Sequence, residues 1–317
     1  MVIDNLAGHV KQLYDNFTLQ ALSAGGEGSI KQPNQSKYAQ AACMYNGPAY
    51  QGLNMKGLNK VPAWAESCQT HLRVLSGLYG SVRPCDSIQE YRLCMGTKLA
   101  VTDADGTRHD KLYDFWGDAI ASSIVADLTE QLQLGGLPHT QTQTPPGAAY
   151  LVNCASQEYF QAVHPHLPEY VEVVSSGSVK SSSKKVKGKK VTDAGGGGSV
   201  PLVVIECVFL DQGMIKSTFA KRARGLMAKF LSLHYRPGVD VAALLRQFNL
   251  EGYVFSTSKS SDMKLVFDRK SPTKPANEDT ISIENPPVLH DYNGAILVTT
   301  ADTDRVPVVK ETKKRKR

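Results

Sequence analysis

HLRVLSGLYGSVRPCDSIQEYRLCMGTKL, the stretch from His71 to Leu99, decides how the rest of the chain is organised. It places four cations, Arg73, Arg83, Arg92 and Lys98, among apolar residues. A cation inside a buried pattern must be paired with an acid or must line a wet cleft that binds an anion. The stretch therefore predicts either internal ion pairs or an anion-binding cleft.

A second group of cations lies in a segment with helical spacing. Lys221 and Arg224 are three residues apart and share a helix face, with Arg222 beside them. Cations near a helix start oppose the macrodipole, which favours a bound anion or acidic partners there. We expect this group to meet the first across a phosphate-binding cleft. The alternative is structural pairing with carboxylates, for which the candidates are Asp86, Asp114, Asp118, Glu158 and Glu251.

Charge is distributed unevenly along the 317 residues. The formal net charge is +6, but residues 180–190 contain six lysines and no acid, and residues 310–317 carry +5, which leaves −5 for the rest. Any nucleic-acid surface on the body must then be a local patch. No run approaches the roughly 20 apolar residues that span a bilayer, so we expect no membrane partner.

Metal and disulfide chemistry have weak sequence support. The six cysteines are scattered, which favours free thiols in or near the core. The closest zinc candidate is His164-Pro-His166, and its alternative is a surface turn. We predict no metal and no cofactor.

Helical and strand patterns alternate without a strict βαβ period. The predicted helices are Met1–Tyr14, Ala63–Leu75, Lys111–Leu134, Ala220–Tyr235 and Val241–Gln247. The main predicted strands are Leu78–Val82, Tyr150–Cys154, Tyr170–Val174, Val203–Leu210, a returning Met214–Phe219, Gly252–Phe255, Lys264–Phe267 and Ala295–Val298. Two hairpins favour antiparallel pairing, so we predict an α+β fold with a mixed, largely antiparallel sheet and surrounding helices.

Two segments are too polar to order themselves. Residues 175–199 are rich in serine, lysine and glycine, and we interpret them as a disordered insertion within a single compact domain of residues 1–270. Residues 271–317 are predicted to form a mostly disordered tail. Its basic end, Lys313–Arg317, resembles a nuclear localisation signal, and the alternative is a solvated charged tail. We expect a cytoplasmic protein, with nuclear targeting as a further hypothesis.

A possible ligand pocket follows a predicted strand. Asn153, Ser156, Glu158 and Tyr159 lie where the strand ends and a short helix opens, and Tyr79 is placed with them. The alternative for Ser156 is a plain helix N-cap. No general base is evident beside it, so no catalytic residue is assigned and enzymatic activity stays open. The aromatics beside the cations are candidates for base stacking or, alternatively, for the core: Tyr79, Tyr91, Tyr113, Trp116, Tyr159 and Phe160.

Seven sequence blocks in order resemble the YaaA family of bacterial peroxide-stress-resistance proteins, in a form with eukaryote-like insertions. The resemblance runs from about Tyr45 to Arg269. The seven blocks are His71–Gly80, Arg83–Asp86, Tyr91–Gly96, Leu112–Gly117, Asn153–Phe160, Ala220–Met227 and Phe248–Tyr253. The resemblance implies one mixed α/β domain with a cationic cleft, nonspecific DNA binding partly through a helix-hairpin-helix element, protection from hydrogen peroxide and limitation of damaging iron.

The chain departs from the family pattern at its start. Nothing matches the family's first strand and its Ser-Pro-Ala-Lys, whereas Met1–Ala7 resembles the middle of the helix-hairpin-helix region. We therefore expect that one strand and half of the helix-hairpin-helix element are missing from this chain. The leading hypothesis is a DNA-binding protein of the peroxide response, and the alternative is an enzyme acting on a phosphorylated or anionic small molecule in the same cleft. The sequence does not predict an oligomeric state.

Overall fold

The computed structural model describes residues 8–11, 13, 38–55, 57, 61–103, 105–134, 147–173, 198–236, 238–270 and 295–300. Its helices are α1 (residues 8–11 and 13), α2 (Ala41–Met44), α3 (Pro48–Leu53), α4 (Pro62–His71), α5 (Leu112–Trp116), α6 (Ala119–Leu134), α7 (Gln157–Phe160), α8 (Ser217–His234) and α9 (Val241–Arg246). Its strands are β1 (Ala39–Gln40), β2 (Leu72–Ser76), β3 (Gly80–Val82), β4 (Ser87–Ile88), β5 (Val101–Thr102), β6 (Arg108–His109), β7 (Ala149–Asn153), β8 (Tyr170–Val173), β9 (Gly198–Asp211), β10 (Tyr253–Phe255), β11 (Lys264–Arg269) and β12 (Ala295–Thr300).

The main sheet runs β10-β11-β9-β7-β12-β2-β3 in the described residues, and β8 pairs with β9. The α+β class and the mixed sheet are confirmed, whereas the prediction of largely antiparallel pairing is corrected, because four of the seven strand pairs described in this sheet are parallel. Its five central strands, β11, β9, β7, β12 and β2, are parallel, whereas β10, β8 and β3 pair antiparallel with β11, β9 and β2. The two end pairs, β2–β3 and β10–β11, have short connections, which can join only antiparallel neighbours. Strand β8 pairs antiparallel with the first residues of β9. All five residues of β2 are buried, as expected for a parallel strand covered on both faces.

The last described strand occupies the middle of this sheet. Leu297 of β12 is in register with Leu72 of β2 on one side and with Val152 of β7 on the other. The predicted strand at Ala295–Val298 is therefore confirmed and extends to Thr300. The chain thus completes its sheet with a strand far away in sequence.

Helices cover both faces of the sheet. On one face lies α6, whose Asp127 reaches Arg73 of β2. On the other face, the Ser76 hydroxyl of β2 is hydrogen-bonded to the Tyr91 hydroxyl, which is also hydrogen-bonded to the Tyr45 hydroxyl. The Tyr45 ring stacks on Tyr50 of α3. Side chains alternate along a strand, so Arg73 and Ser76 point to opposite faces. Helix α8 lies on the same face as α3, because the two helices pack directly together.

Helices α3 and α8 cross at two glycines. A Cβ atom on Gly225 would overlap the Ala49 carbonyl oxygen, and one on Gly52 would overlap the Arg222 carbonyl oxygen. Only glycine permits this backbone approach. The crossing fixes α8, with its cations, against the start of the domain.

The opening stretch differs from its prediction in two elements. The predicted helix Ala63–Leu75 ends at His71, and Leu72–Ser76 forms β2 instead. The predicted strand Leu78–Val82 begins only at Gly80, which has a φ of 68° after a turn. Burial on both sheet faces outweighs the helical spacing of the apolar residues here.

The predicted long helix Lys111–Leu134 is broken in two. Helix α5 ends at Trp116, and Gly117 adopts a φ of 47° before α6 begins at Ala119. The N-cap residue of α5 is Lys111, and no side chain makes a capping hydrogen bond there. A glycine that accepts a positive φ lets the chain turn between two helices whose apolar faces both reach the core.

One predicted hairpin is confirmed and the other is reduced to a turn. Strands β10 and β11 pair antiparallel, with Val254 opposite Asp268. After β9 only the bridge between Asp211 and Met214 forms, and the segment predicted to pair back enters α8 at Ser217.

Several predictions fall partly outside the described residues. Residues 8–11 and 13 are helical, which confirms that part of the predicted helix Met1–Tyr14. Most of the predicted insertion at 175–199 and of the tail at 271–317 lies outside the described ranges. Gly198 and Ser199, assigned to the insertion, belong to β9.

Candidate functional site at the carboxyl edge of the sheet

Arg73 and Arg83 share one carboxylate. The Arg73 Nε donates to Asp127 Oδ2 and the Arg83 Nη2 donates to Asp127 Oδ1, each at 2.6 Å. Arg73 is 1% exposed, and its Nη1 also donates to the backbone oxygens of Gln69, Thr70 and Leu72. Burial lowers the pKa of Arg73, and the charge of Asp127 opposes this shift. These contacts are those of a structural ion pair.

Asp127 was absent from the predicted carboxylate partners. It lies on the buried stripe of α6 that also carries Ile120, Ile124 and Leu128. An acid on an apolar stripe requires a partner cation, so the sequence held a signal that could have found it.

Arg222 is also paired with a carboxylate. Its Nε donates to Glu251 Oε1 at 2.9 Å and to Oε2 at 3.1 Å, and its Nη2 donates to Oε1 at 2.7 Å. This forked arrangement is the strong form of an arginine–carboxylate contact. Glu251 was one of the predicted structural partners. Lys221 and Arg224, its neighbours in α8, are half-buried and also make interactions within the described protein.

The structure does not bring the seven predicted cations into one cleft. Arg73 faces α6, whereas Lys221, Arg222 and Arg224 belong to α8 on the opposite face of the sheet. The expectation that the two groups meet across a cleft is thereby corrected. Its physical reason is the alternation of side chains along β2, which directs Arg73 away from α8.

Arg92 and Lys98 differ from the other cations because they are exposed. Within the described part of the chain, neither forms an ion pair. They flank the segment 93–97, which packs where β2 ends. A Cβ atom on Gly77 would lie 2.5 Å from the Leu93 carbonyl oxygen, so glycine is required for this approach.

Helix α7 reaches the same segment from the end of β7. The Gly96 N–H donates to Glu158 Oε1 at 2.9 Å, and the Tyr113 hydroxyl donates to the Glu158 carbonyl oxygen at 2.9 Å. Strands β2 and β7 run in the same direction, since both are parallel to β12. Their carboxyl ends therefore lie at one edge of the sheet, which is where open α/β sheets bind ligands. We call Arg92, the segment 93–97, Lys98 and the start of α7 the carboxyl-edge site.

Four of the five predicted pocket residues belong to this edge. Asn153 is buried, and its Oδ1 accepts from the Ala155 N–H at 2.8 Å. Ser156 is the N-cap residue of α7, but its half-buried hydroxyl makes no capping hydrogen bond. It thus stands at the helix start without the capping role that the alternative assigned to it. Glu158 is exposed, apart from its bond to Gly96.

The tyrosines beside the site belong to the core. Tyr159 is 5% exposed, and its pKa is raised, first by burial and then by neighbours that include Tyr91, Cys94 and Glu158. Tyr91 joins the Ser76 hydroxyl at 2.5 Å, and burial raises its pKa as well. Tyr159 and Tyr91 therefore stay protonated, neutral and able to donate.

The fifth predicted pocket residue, Tyr79, is also buried. Its hydroxyl accepts from the Gln89 N–H at 3.0 Å, and its ring packs edge-on against Tyr91. Trp116 and Phe160 are buried too, so the core interpretation holds for these aromatics, whereas Tyr113 is only half-buried.

Metal ligands do not gather in the described residues. No group of three or more His, Cys, Asp or Glu side chains there could hold a metal ion. His164 and His166 form an exposed single turn of 3₁₀ helix, as the surface-turn alternative predicted. None of the helices described is long and apolar enough to cross a membrane.

Comparison with known proteins identifies the family. The profile of the family described as "Peroxide stress protein YaaA" matches residues 2–192. The UPF0246 protein of Phenylobacterium zucineum is 36% identical over 249 residues, which are 77% of this chain and 72% of that protein. The UPF0246 proteins of Idiomarina loihiensis and Neisseria gonorrhoeae are 35% and 33% identical, over 74% of this chain and 71% and 70% of theirs. The chain belongs to the peroxide stress protein YaaA family, whose curated relatives are named UPF0246 proteins.

Proposed function

We propose that this chain contributes to resistance against hydrogen peroxide by binding an anionic ligand at the carboxyl-edge site. The proposal rests on a contrast between paired and exposed cations in the chain. Arg73, Arg83 and Arg222 have carboxylate partners, whereas Arg92 and Lys98 are exposed and form no ion pair within the described residues.

The chemistry of the edge favours a small phosphorylated or carboxylated molecule. An arginine fork and a lysine bind phosphate or carboxylate oxygens, and the Ser156 hydroxyl at the same edge can donate to them. Glu158 repels anions from its own position, and its bond to Gly96 holds the loop between the two cations. An enzymatic reaction on such a ligand belongs to this proposal, although no nucleophile and base are assigned.

Ligand titration tests the proposal. We expect inorganic phosphate, nucleotides or sugar phosphates to raise the melting temperature of the wild-type chain by a binding-linked shift. The double variant Arg92→Ala, Lys98→Ala should lose that shift. The matched control Lys111→Ala, Lys270→Ala removes the same charge from exposed positions outside the site and should keep it. Equal shifts in both variants would refute the site.

DNA binding is the second candidate. It is supported by the exposure of Arg92 and Lys98 and by the six lysines of residues 180–190. Each phosphate contact steepens the loss of affinity with salt. Because Arg73, Arg83 and Arg222 are paired with carboxylates, we expect the affinity of the body of the domain for DNA to fall only slowly with salt concentration.

A gel-shift series over salt separates the two candidates. The six lysines of 180–190 and the cations of 310–317 are first changed to glutamine, because they alone could bind DNA. DNA binding that persists after these changes comes from the body of the domain. If its salt dependence is then weaker in the Arg92→Ala, Lys98→Ala variant, the site binds the phosphate backbone. If binding disappears with the glutamine changes, the body of the protein does not bind DNA.

Two further parts of the proposal concern iron and location. A role in limiting damaging iron predicts a stoichiometric uptake in an anaerobic iron titration, and its absence would remove that role. A cytoplasmic location with nuclear accumulation through Lys313–Arg317 predicts that deleting these residues changes the distribution of a tagged chain.

A further inference from the structure

Two exposed cysteines lie on neighbouring segments of the domain. Cys43 lies in α2, and Cys85 lies in the turn after β3, 42 positions later in the sequence. Neither forms a disulfide, although both thiols reach the surface. They take no part in the function proposed above.

Backbone hydrogen bonds hold the two segments side by side. Strand β1 pairs antiparallel with β4, with Gln40 opposite Ser87. The pairing continues beyond the strands, because the Ala41 N–H donates to the Asp86 carbonyl oxygen at 2.8 Å and the Ala42 N–H donates to the Pro84 carbonyl oxygen at 2.9 Å. Cys43 directly follows Ala42 and Cys85 directly follows Pro84, so the two side chains start from adjacent backbone.

The electrostatics of Cys85 agree with this placement. Its pKa is raised by partial burial, by Asp86 and by Cys43, so the two sulfur atoms are within electrostatic reach. The backbone of Cys85 is also fixed, since its N–H donates to Gln69 Oε1 at 2.8 Å. A disulfide needs the two Cα atoms within about 7 Å of each other, and adjacent, fixed backbone favours such a short separation.

We propose that Cys43 and Cys85 are a peroxide-oxidised thiol pair that forms an intramolecular disulfide. The inference rests on the proposed function only for the identity of the oxidant, hydrogen peroxide. The Cys43 thiol releases its proton and the thiolate attacks one peroxide oxygen, so that an S–O bond forms, the O–O bond breaks and the leaving hydroxide takes up the released proton as water. The Cys85 sulfur then attacks the Cys43 sulfenic acid, the S–S bond forms and a second water leaves with the Cys85 proton. Two thiols are oxidised to one disulfide, and one peroxide is reduced to two waters.

Cys43 is exposed in α2 and is assigned the first step, because partial burial and Asp86 raise the pKa of Cys85 and make its thiolate scarcer. The remaining cysteines are poorer targets. Cys68 is fully buried with a pKa of about 12, and Cys154 and Cys207 are buried as well. Cys94 is only half-buried, so it serves as the matched control.

Peptide mapping of the oxidised full-length protein tests the inference. After treatment with a small excess of hydrogen peroxide, we expect the free thiol count to fall from six to four. After trypsin digestion without reductant, we expect a disulfide-linked pair of peptides, residues 38–56 and 74–92, which carry Cys43 and Cys85. The Cys94→Ser variant should give the same linked pair. The Cys85→Ser variant should instead accumulate a sulfenic acid on Cys43, which dimedone traps.

Several results would overturn the inference. They are unchanged Cys43 and Cys85 thiols after the treatment, a disulfide between two chains, or a bridge from Cys85 to Cys68. A melting curve of each variant in reducing buffer confirms that it is folded before oxidation. The test is separate from ligand binding, because failure of the phosphate titration would leave the linked peptides unchanged, and a missing disulfide would leave the titration unchanged.

Discussion

Arg73 Nε lies 2.6 Å from Asp127 Oδ2, and the Arg73 side chain is almost completely buried between β2 and α6. The same carboxylate holds Arg83 through its other oxygen. One carboxylate thus pairs with two of the cations that first suggested an anion cleft. The exposed cations of the same stretch, Arg92 and Lys98, lie instead at the carboxyl edge of the sheet.

Removing Asp127 should destabilise the domain strongly. Asp127→Ala leaves the buried Arg73 charge without its carboxylate, which costs about 3–5 kcal/mol when one partner of a buried pair is lost. Urea unfolding measures the change. The control Asp110→Ala breaks the exposed pair with Arg108, for which we expect about 0–1 kcal/mol. Similar losses in the two variants would contradict the structural role of Asp127.

The crossing of α3 and α8 should not tolerate a methyl group. Gly225→Ala would place its Cβ against the Ala49 carbonyl oxygen and force the helices apart, at a cost of at least about 1–3 kcal/mol. The free energy of unfolding measures this. Gly147→Ala is the matched control, because no atom of the described residues lies within 4 Å of its added Cβ. A stabilising effect of Gly225→Ala would show that the helices do not approach as described.

Stability should fall on acidification through His71. Burial lowers the pKa of His71 to about 4 from an ordinary 6.5, although the Ser67 carbonyl oxygen favours its protonated form. The unfolded state therefore binds a proton that the folded state does not, between about pH 6.5 and pH 4. Protonation of His71 should therefore lower the free energy of unfolding by up to about 3 kcal/mol across that pH window, with no further loss below pH 4.

The pH dependence is isolated by comparing variants. His71→Gln does not titrate, so its free energy of unfolding should fall less between pH 6.5 and 4 than that of the wild type. His166→Gln, at an exposed position, should follow the wild type. Parallel curves for wild type and His71→Gln would exclude His71 as the cause.

The central position of β12 predicts a strong effect of proline. Leu297→Pro removes a backbone donor between β2 and β7 and should cost about 3 kcal/mol or more. The conservative change Leu297→Ile keeps the backbone donor and should cost far less. Denaturant midpoints of both variants measure the difference, and equal midpoints would mean that β12 does not complete the sheet.

Local patterns allowed part of this fold to be predicted from the sequence. The hairpin of β10 and β11, most of α8 and the strand at β12 follow periodicity and turn residues, which act over a few positions. The position of β12 between β2 and β7 could not be predicted this way. Strand order depends on contacts between distant segments, which local residue patterns do not encode.

The candidate site was predicted in part for the same reason. Asn153, Ser156, Glu158 and Tyr159 were identified together because they are adjacent in sequence. The division of the cations was not predicted, because the partner of Arg73 lies 54 positions away on α6. The break at Gly117 was missed because apolar residues keep a helical spacing on both sides of it.

Hydrogen peroxide survival tests the central claim most directly. Cells that lack their own YaaA-family protein would express the wild-type chain, the Arg92→Ala, Lys98→Ala variant or the Lys111→Ala, Lys270→Ala control at matched levels. The account predicts that wild type and control restore survival and that the Arg92→Ala, Lys98→Ala variant does not, although it is folded. Full survival with that variant would contradict the claim that the carboxyl-edge site carries the function.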